Sequence, residues 1–288
     1  MFFKYDCTIY ERKSAMIFWI ILIIIFVLIV LLGWMVAPQL KKPDWSLLLG
    51  RDYAHRGLHT ADQSVPENSM AAFLRAVEHR FGIELDVQLT ADNQIVVFHD
   101  STLKRICGID RPVHDFTFQQ LRELPLAGTE ERIPLFSEVL DLVGGRVPLI
   151  VEIKHYHQPK KLCEMTAALL DVYPGPYCIE SFHPLIVRWF KKNRPQIIRG
   201  QLAEDYGKSK SLSPIAGFFA GNLLTNFLAR PDFIAYRFSD RKRFAVHVCC
   251  EWLHAQRVYW TLRSEADLNI AVNEKAVGIF ENFLPKSS

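Results

Sequence analysis

Glu84 and Asp86 stand two residues apart in the stretch ELDVQLTADNQIVVFHD, Glu84 to Asp100, and His99 lies near its end. Carboxylates hold hard cations, and imidazoles move protons near neutral pH. The run from Glu84 to Leu89 reads as strand, where residues i and i+2 share a face, so both carboxylates point the same way. Thr90, Ala91, Asp92 and Asn93 are turn formers, and Gln94 to His99 is a second β-rich run. Too few residues intervene for a helical crossover, so direct pairing must be antiparallel. A four-residue turn sets Gln94 opposite Leu89 and His99 opposite Glu84, whereas a two-residue turn at Asp92-Asn93 sets His99 opposite Asp86. Either register puts the imidazole on the face of the two carboxylates. Such a group predicts a metal site with an acid–base beside it, although an E-x-D pair on a strand is more often a solvated face.

The elements that must position these groups alternate. Asp52 to His55 is a short strand ending in AHRG, and Pro66-Glu67-Asn68-Ser69 caps a helix, SMAAFLRAVEHRF, with apolar residues at helical spacing. After the hairpin, Thr117 caps FQQLREL and Ser137 caps EVLDLV. VPLIVEI, Val147 to Ile153, is an apolar strand of the kind covered by helices on both faces. Further β-like runs lie at Tyr177–Glu180, Ile197–Leu202, Phe233–Tyr236, Val258–Thr261 and Val277–Phe280, mostly with helical stretches between. This alternation predicts a parallel α/β fold, and residues 51–288 have the size of a TIM-like (β/α)8 barrel. Nine β-like runs for eight places predict an irregular barrel or one strand outside it.

Ahead of the barrel, residues 1–15 form a polar tail and Met16 to Val36 is an uncharged apolar run with Trp19 and Trp34 near its ends. At 1.5 Å per residue it is long enough to cross a bilayer core of about 30 Å. A cleaved signal peptide fits less well, because the apolar run is too long and a site after Ala37 would precede Pro38. The expectation is one uncleaved transmembrane helix, a membrane localisation and a partner in the lipid bilayer. Lys4, Arg12 and Lys13 on one side balance Lys41, Lys42 and Arg51 on the other, so the facing of the barrel stays open. Residues 37–50, APQLKKPDWSLLLG, read as a linker. Of six cysteines, five follow the apolar run without disulfide or ligand spacing, and Cys249-Cys250 reads as core filling. A net charge of +3, with no basic cluster interleaved with aromatics, excludes nucleic acid as a partner.

Active sites of (β/α) barrels form at the C-terminal ends of the strands, and the polar residues fall there. His55 and Arg56 end the first strand, Glu152 and Lys154 share a face at the end of VPLIVEIK, and Glu84, Asp86 and His99 project from the hairpin. Alone, Glu152 and Lys154 would be a structural ion pair. His59, His79, His114, His183, His247 and His254 show no ligand pattern, while His155 and His157 lie close enough behind Glu152 to reach the site mouth.

AHRG at 54–57, PEN at 66–68, ELDV at 84–87, VVFHD at 96–100 and VEIK at 151–154 together resemble the glycerophosphodiester phosphodiesterase family, in that order along the chain. SFHP at 181–184, YWTL at 259–262 and GIFENF at 278–283 are looser matches. The resemblance implies a TIM-like barrel that hydrolyses glycerophosphodiesters to an alcohol and glycerol 3-phosphate. It implies metal ligands at Glu84, Asp86 and Glu152, whose oxygens suit Mg²⁺ or Ca²⁺, with Mn²⁺ also possible. It implies His55 and His99 as the proton-transfer pair, Arg56 and Lys154 as phosphate-binding groups, Glu67 in support or as a further metal ligand, and Trp260 in support. The attacking group is then water or the glycerol's own 2-hydroxyl, the latter passing through a cyclic phosphate. Phe280-Glu281 stands where Thr-Asp is frequent in the family, which weakens any role for Glu281. The segment Tyr206 to Arg230 is only loosely similar and is expected to cover the barrel as a helix or to form a membrane-leaning lid. Two other functions stay open beside the diesterase: a lysophospholipase D that takes lysophospholipids from the bilayer, and a catalytically silent binding domain.

Overall fold

The structure is a computed structural model that describes residues 3–286. Met1, Phe2, Ser287 and Ser288, the outer ends of the expected tail and barrel domain, lie outside the described residues. So does the side chain of Lys4, which entered the orientation count.

Among the described residues nine strands are present: β1 (Tyr53–His55), β2 (Gly82–Leu89), β3 (Ile95–Val97), β4 (Leu149–Ile153), β5 (Tyr177–Ser181), β6 (Arg199–Ala203), β7 (Phe233–Arg237), β8 (Gln256–Leu262) and β9 (Ala276–Phe280). Eight run parallel in the order β1-β9-β8-β7-β6-β5-β4-β2, and pairing of β1 with β2 closes the ring. The ninth, β3, pairs antiparallel with the far end of β2 and lies outside the barrel, which accounts for the surplus run.

The hairpin register is neither of the two expected. Val87 pairs with Val97, Gln88 with Val96 and Leu89 with Ile95. The loop is Ala91-Asp92-Asn93, closed by Thr90 N to Gln94 O at 3.0 Å, with Asn93 in the left-handed region at φ 59°. Three-residue hairpin loops commonly end on a residue of that conformation. Strict alternation would then set Phe98 against Asp86, and Phe98 N does donate to Asp86 O at 3.0 Å. His99 reaches the carboxylates because β3 ends at Val97 and the chain has left the sheet.

Alternation along the strands divides the core. Ala54, Ile83, Leu85, Val87, Val151 and Ile179 pack outward against the helices, while Tyr53, Ile150, Cys178, Phe233, Val258 and Val277 fill the lower barrel. Two residues further along, His55, Glu152 and Glu180 share the inward face with their apolar predecessors, as do Glu84 and Asp86 on β2. A side chain on Gly82 or Gly200 would collide with the Tyr53 or Phe233 ring, so these glycines make room for the aromatic floor. Within residues 37–50, Trp45 and Leu48 reach that floor. Leu48 is buried there, Tyr53 Oη donates to its carbonyl at 2.8 Å, and the Trp45 ring meets Phe233 edge-on at 5.3 Å.

Ser69 caps the helix Met70–Glu78 by accepting from Ala72 N at 3.1 Å, and Thr117 with Gln120 forms a capping box for Phe118–Arg122. Ser137 is not a cap. The helix Phe136–Val143 starts two residues earlier than that cap would place it, and Glu138 accepts from Leu135 N at 2.9 Å. The N-terminal helix runs unbroken from Phe3 to Val36 and is long and apolar enough to cross a membrane. Its end is docked: Val36 is buried beside Cys249, whose thiol donates to Val36 O at 3.3 Å. The two adjacent cysteines fill this contact, as expected.

Candidate active site

Strand register builds an acidic centre. Asp86 on β2, Glu152 on β4 and Glu180 on β5 are Cα partners across three neighbouring strands, and Glu84 sits two residues below Asp86 against His55. All four carboxylates are buried. Burial first, then the Asp86, Glu180 and Glu152 charges, push the Glu84 carboxyl well above the usual range. Glu180 is raised by burial and then by Glu152 and Asp86, and its Oε2 has no hydrogen-bond partner. Asp86 goes the other way. Burial opposes its ionisation, but Lys154, His99 and Arg56 hold it well below the carboxylate range.

Among the described residues, the permanent cations in contact with these four are Lys154 and Arg56. Lys154 Nζ lies 2.7 Å from both Asp86 Oδ1 and Glu152 Oε1, and Arg56 Nε lies 3.6 Å from Asp86 Oδ2. Four buried carboxylates against two cations cannot all ionise without further positive charge, in keeping with the raised Glu84 and Glu180. Asp86, Glu152 and His99 also offer ligand atoms within 4.8 Å of one another. The donor set is mainly hard oxygen, and no thiolate takes part, so the residues fit a Mg²⁺- or Ca²⁺-like ion. Glu84 is adjacent but does not join that trio. Its own contacts are His55 Nε2 at 3.9 Å and the Arg56 amide at 3.1 Å.

Each of the two expected histidines is held through Nδ1 by a carboxylate. His55 Nδ1 donates to Glu281 Oε2 at 2.5 Å, and His99 Nδ1 donates to Asp100 Oδ1 at 2.6 Å. Both carboxylates are fixed in turn by arginines, Glu281 by Arg263 and Asp100 by Arg105. Burial alone would raise Glu281, yet the bonds from His55 and Arg263 bring it down to about 2. Burial and then Arg56 push the His55 imidazole down to about 4, against the pull of Glu281. With Nδ1 committed as donor, Nε2 is the nitrogen left to exchange protons.

Glu67 ties the site together from the PEN loop. It accepts from Arg56 Nη1 at 2.7 Å and from both terminal nitrogens of Arg105, at 2.8 and 2.7 Å. Burial would raise its carboxyl, but Arg105 and Arg56 lower it to about 2. Its neighbour Asn68 donates to Asp86 Oδ2 at 2.9 Å. Arg56 and Lys154, expected to meet phosphate, are found with carboxylates, although Arg56 Nε remains buried without a hydrogen-bond partner.

Most of these groups, though not Asp86, Asn68 or Asp100, line one cavity of about 990 Å³, which also takes in Glu180, His59, His155, His183, Arg237 and Trp260. Trp260 forms part of the wall, with the Arg237 guanidinium 5.2 Å from its ring centre. His155 reaches the mouth, but His157 stacks on His114 at 4.5 Å instead. His59, given no role from sequence, has ligand atoms within 4.8 Å of those of His55 and Glu281. Glu180 was the principal omission, and Glu281, discounted from sequence, holds the His55 ring. Glu180 was visible as the carboxylate ending an apolar β-like run, the same signal that singled out Glu152.

The profile of the Glycerophosphoryl diester phosphodiesterase family matches residues 55–209. A glycerophosphodiester phosphodiesterase of Caldanaerobacter subterraneus subsp. tengcongensis is 44% identical over 110 residues, which is 35% of this chain and 44% of the relative. A lysophospholipase D of Rattus norvegicus is 36% identical over 119 residues, 37% of each chain. The chain therefore aligns with less than half the length of these two curated relatives. A phosphodiesterase of Oleispira antarctica, solved in complex with the product sn-glycerol 3-phosphate, superposes with a TM-score of 0.67 at 20% identity, over 82% of this chain and 94% of that one. That likeness is one of fold.

Proposed function

The chain belongs to the glycerophosphoryl diester phosphodiesterase family, and on that premise we propose that it hydrolyses glycerophosphodiesters to an alcohol and glycerol 3-phosphate. The observation that carries this reading is the pair of histidines, each oriented by a carboxylate, on one cavity with a buried acidic cluster. The relatives' names and the product held by the Oleispira protein support it.

Glu84, Asp86 and Glu152 would hold a divalent cation, Mg²⁺ or Ca²⁺. Such an ion polarises phosphoryl oxygens and neutralises charge that develops on them. The chain's own residues do the rest. One of His55 and His99 takes a proton through Nε2 from the attacking hydroxyl, whether water or the glycerol 2-hydroxyl, and the other gives one to the leaving alcohol. Glu281 and Asp100 keep each ring in the tautomer this requires. Arg56 and Lys154 have donors beyond those their carboxylate partners use, and these would face the phosphate. Glu67 fixes the Arg56 guanidinium for that contact. The filled set of positions argues against a silent binding domain.

The N-terminal helix supports a membrane-anchored enzyme and keeps lysophospholipids among its substrates, as the name of the Rattus norvegicus relative also does. The test is product identity. The detergent-solubilised full chain, given glycerophosphocholine and Mg²⁺ or Ca²⁺, should release choline and glycerol 3-phosphate. Release of phosphocholine and glycerol would place cleavage on the other P–O bond and overturn the reading.

A further inference from the structure

The segment after β6 forms three short helices, Tyr206–Ser209, Pro214–Gly221 and Asn226–Ala229, rather than one covering helix. The middle one, PIAGFFAG, carries no charged or polar side chain. Gly217 and Gly221 let it lie close on Tyr206 and the Glu204 carbonyl, and Tyr236 Oη donates to Gly221 O at 2.7 Å. Phe219, Ala216 and Ala220 line the active-site cavity. Ile215 and Phe218 are instead 75% and 59% exposed. A surface helix in water turns a polar face outward, and this one does not.

What covers that face is indicated by the next helix, where the N-terminal helix is docked. Asn226 Nδ2 donates to Val36 O at 2.8 Å, Arg230 Nη1 donates to Trp34 O and Ala37 O at 2.7 Å each, and the Trp34 and Phe227 rings lie 5.1 Å apart. Gly221 and Asn226 are five residues apart, so the apolar rim ends within about 18 Å of this anchor point. Beyond the anchor point, the apolar helix exposes every side chain from Met16 to Leu32, a surface that needs hydrocarbon around it. The exposed Lys208 and Lys210 precede the rim, where cations favour the lipid headgroup layer.

We infer that the helix Pro214–Gly221 seats in the bilayer that holds the N-terminal helix and opens the active-site cavity to it. Ile215 and Phe218 enter the acyl region, and the Phe219 side of the helix gives a single acyl chain an apolar wall from the leaflet to the acidic centre. The substrate class is then a membrane-resident glycerophosphodiester bearing one acyl chain. This deepens the diesterase reading and rests on it.

The test compares the full chain with an Ile215→Ser/Phe218→Ser double variant, reconstituted in phosphatidylcholine vesicles. Lysophosphatidylcholine in the vesicles and free glycerophosphocholine serve as the two substrates. Burying one large apolar side chain is worth roughly 1.5–3 kcal/mol, so kcat/KM on the vesicle substrate should fall by about tenfold or more. Turnover of the soluble substrate should be unchanged. Equal turnover on both substrates, or an equal loss on both, overturns the inference. Hydrolysis of neither by the unaltered protein refutes the diesterase reading. The rim is then judged by a spin label at Ile215→Cys, with unaltered protein labelled as the blank for native cysteines. Access to oxygen above access to a nickel chelate supports bilayer seating; access favouring the chelate, or access to neither, overturns it.

Discussion

Glu281 and His55 meet at 2.5 Å across the seam of the barrel, Oε2 to Nδ1, because closure sets the last strand beside the first. Glu281 therefore positions the ring that faces the acidic centre. Glu281→Ala should lower kcat by about tenfold to a hundredfold with little change in KM, since substrate contacts stay in place. Glu281→Asp should recover part of the rate. A rise in KM at constant kcat would mean that Glu281 binds substrate rather than orienting His55.

The two imidazoles carry the proton transfers in this account. His55→Ala and His99→Ala should each cost about 10²-fold or more in turnover, within the usual contribution of a general acid or base. Far-ultraviolet circular dichroism of both variants should match the unaltered protein. Turnover near the original level in either would show that the proton-transfer pair lies elsewhere.

Glu84 and His99 should respond differently to metal. Glu84→Gln keeps the shape and removes a charge, so affinity for the ion should drop and excess Mg²⁺ or Ca²⁺ should restore part of the rate. His99→Ala removes a proton-transfer group, and added metal should restore little. Metal titrations of activity separate the cases. Equal rescue of both would make His99 a ligand, which its place beside Asp86 and Glu152 allows.

Asp52, at the foot of the barrel, gives a pH-dependent prediction about stability. Burial and then the Glu265 charge raise its carboxyl from 3.8 to about 6. The folded state therefore disfavours the ionised form, so stability is lost as pH rises from about 4 to about 6. Asp52→Asn should raise the melting midpoint at about pH 8 by roughly 2–4 °C, the shift that about 1 kcal/mol brings in a domain of this size. Near pH 3, roughly, where both states mostly bind the proton, the gain should largely vanish. A gain of equal size at both pH values would remove ionisation as its cause.

The strands, their alternation and the polar groups at their ends were legible in the sequence because each rests on local periodicity. The hairpin was legible only as a hairpin. Its register depends on Asn93 taking a left-handed conformation in a three-residue loop, and composition alone does not choose among loop lengths. Ser137 looked like a cap, but Glu138 bonding back to Leu135 N starts the helix earlier. Trp45 against Phe233 in the barrel floor, and Glu281 against His55, depend on contacts far apart in sequence, which no window of neighbouring residues contains. Glu180 is different. Its strand was recognised, and its meaning came only from lying level with Asp86 and Glu152.

The central claim is that buried carboxylates hold a divalent cation for phosphodiester hydrolysis. The most direct measurement is release of glycerol 3-phosphate by the solubilised full chain before EDTA, after exhaustive EDTA, and after re-addition of Mg²⁺ or Ca²⁺. The account predicts loss of activity on chelation and recovery with either or both ions. Full activity in the chelated protein would contradict it.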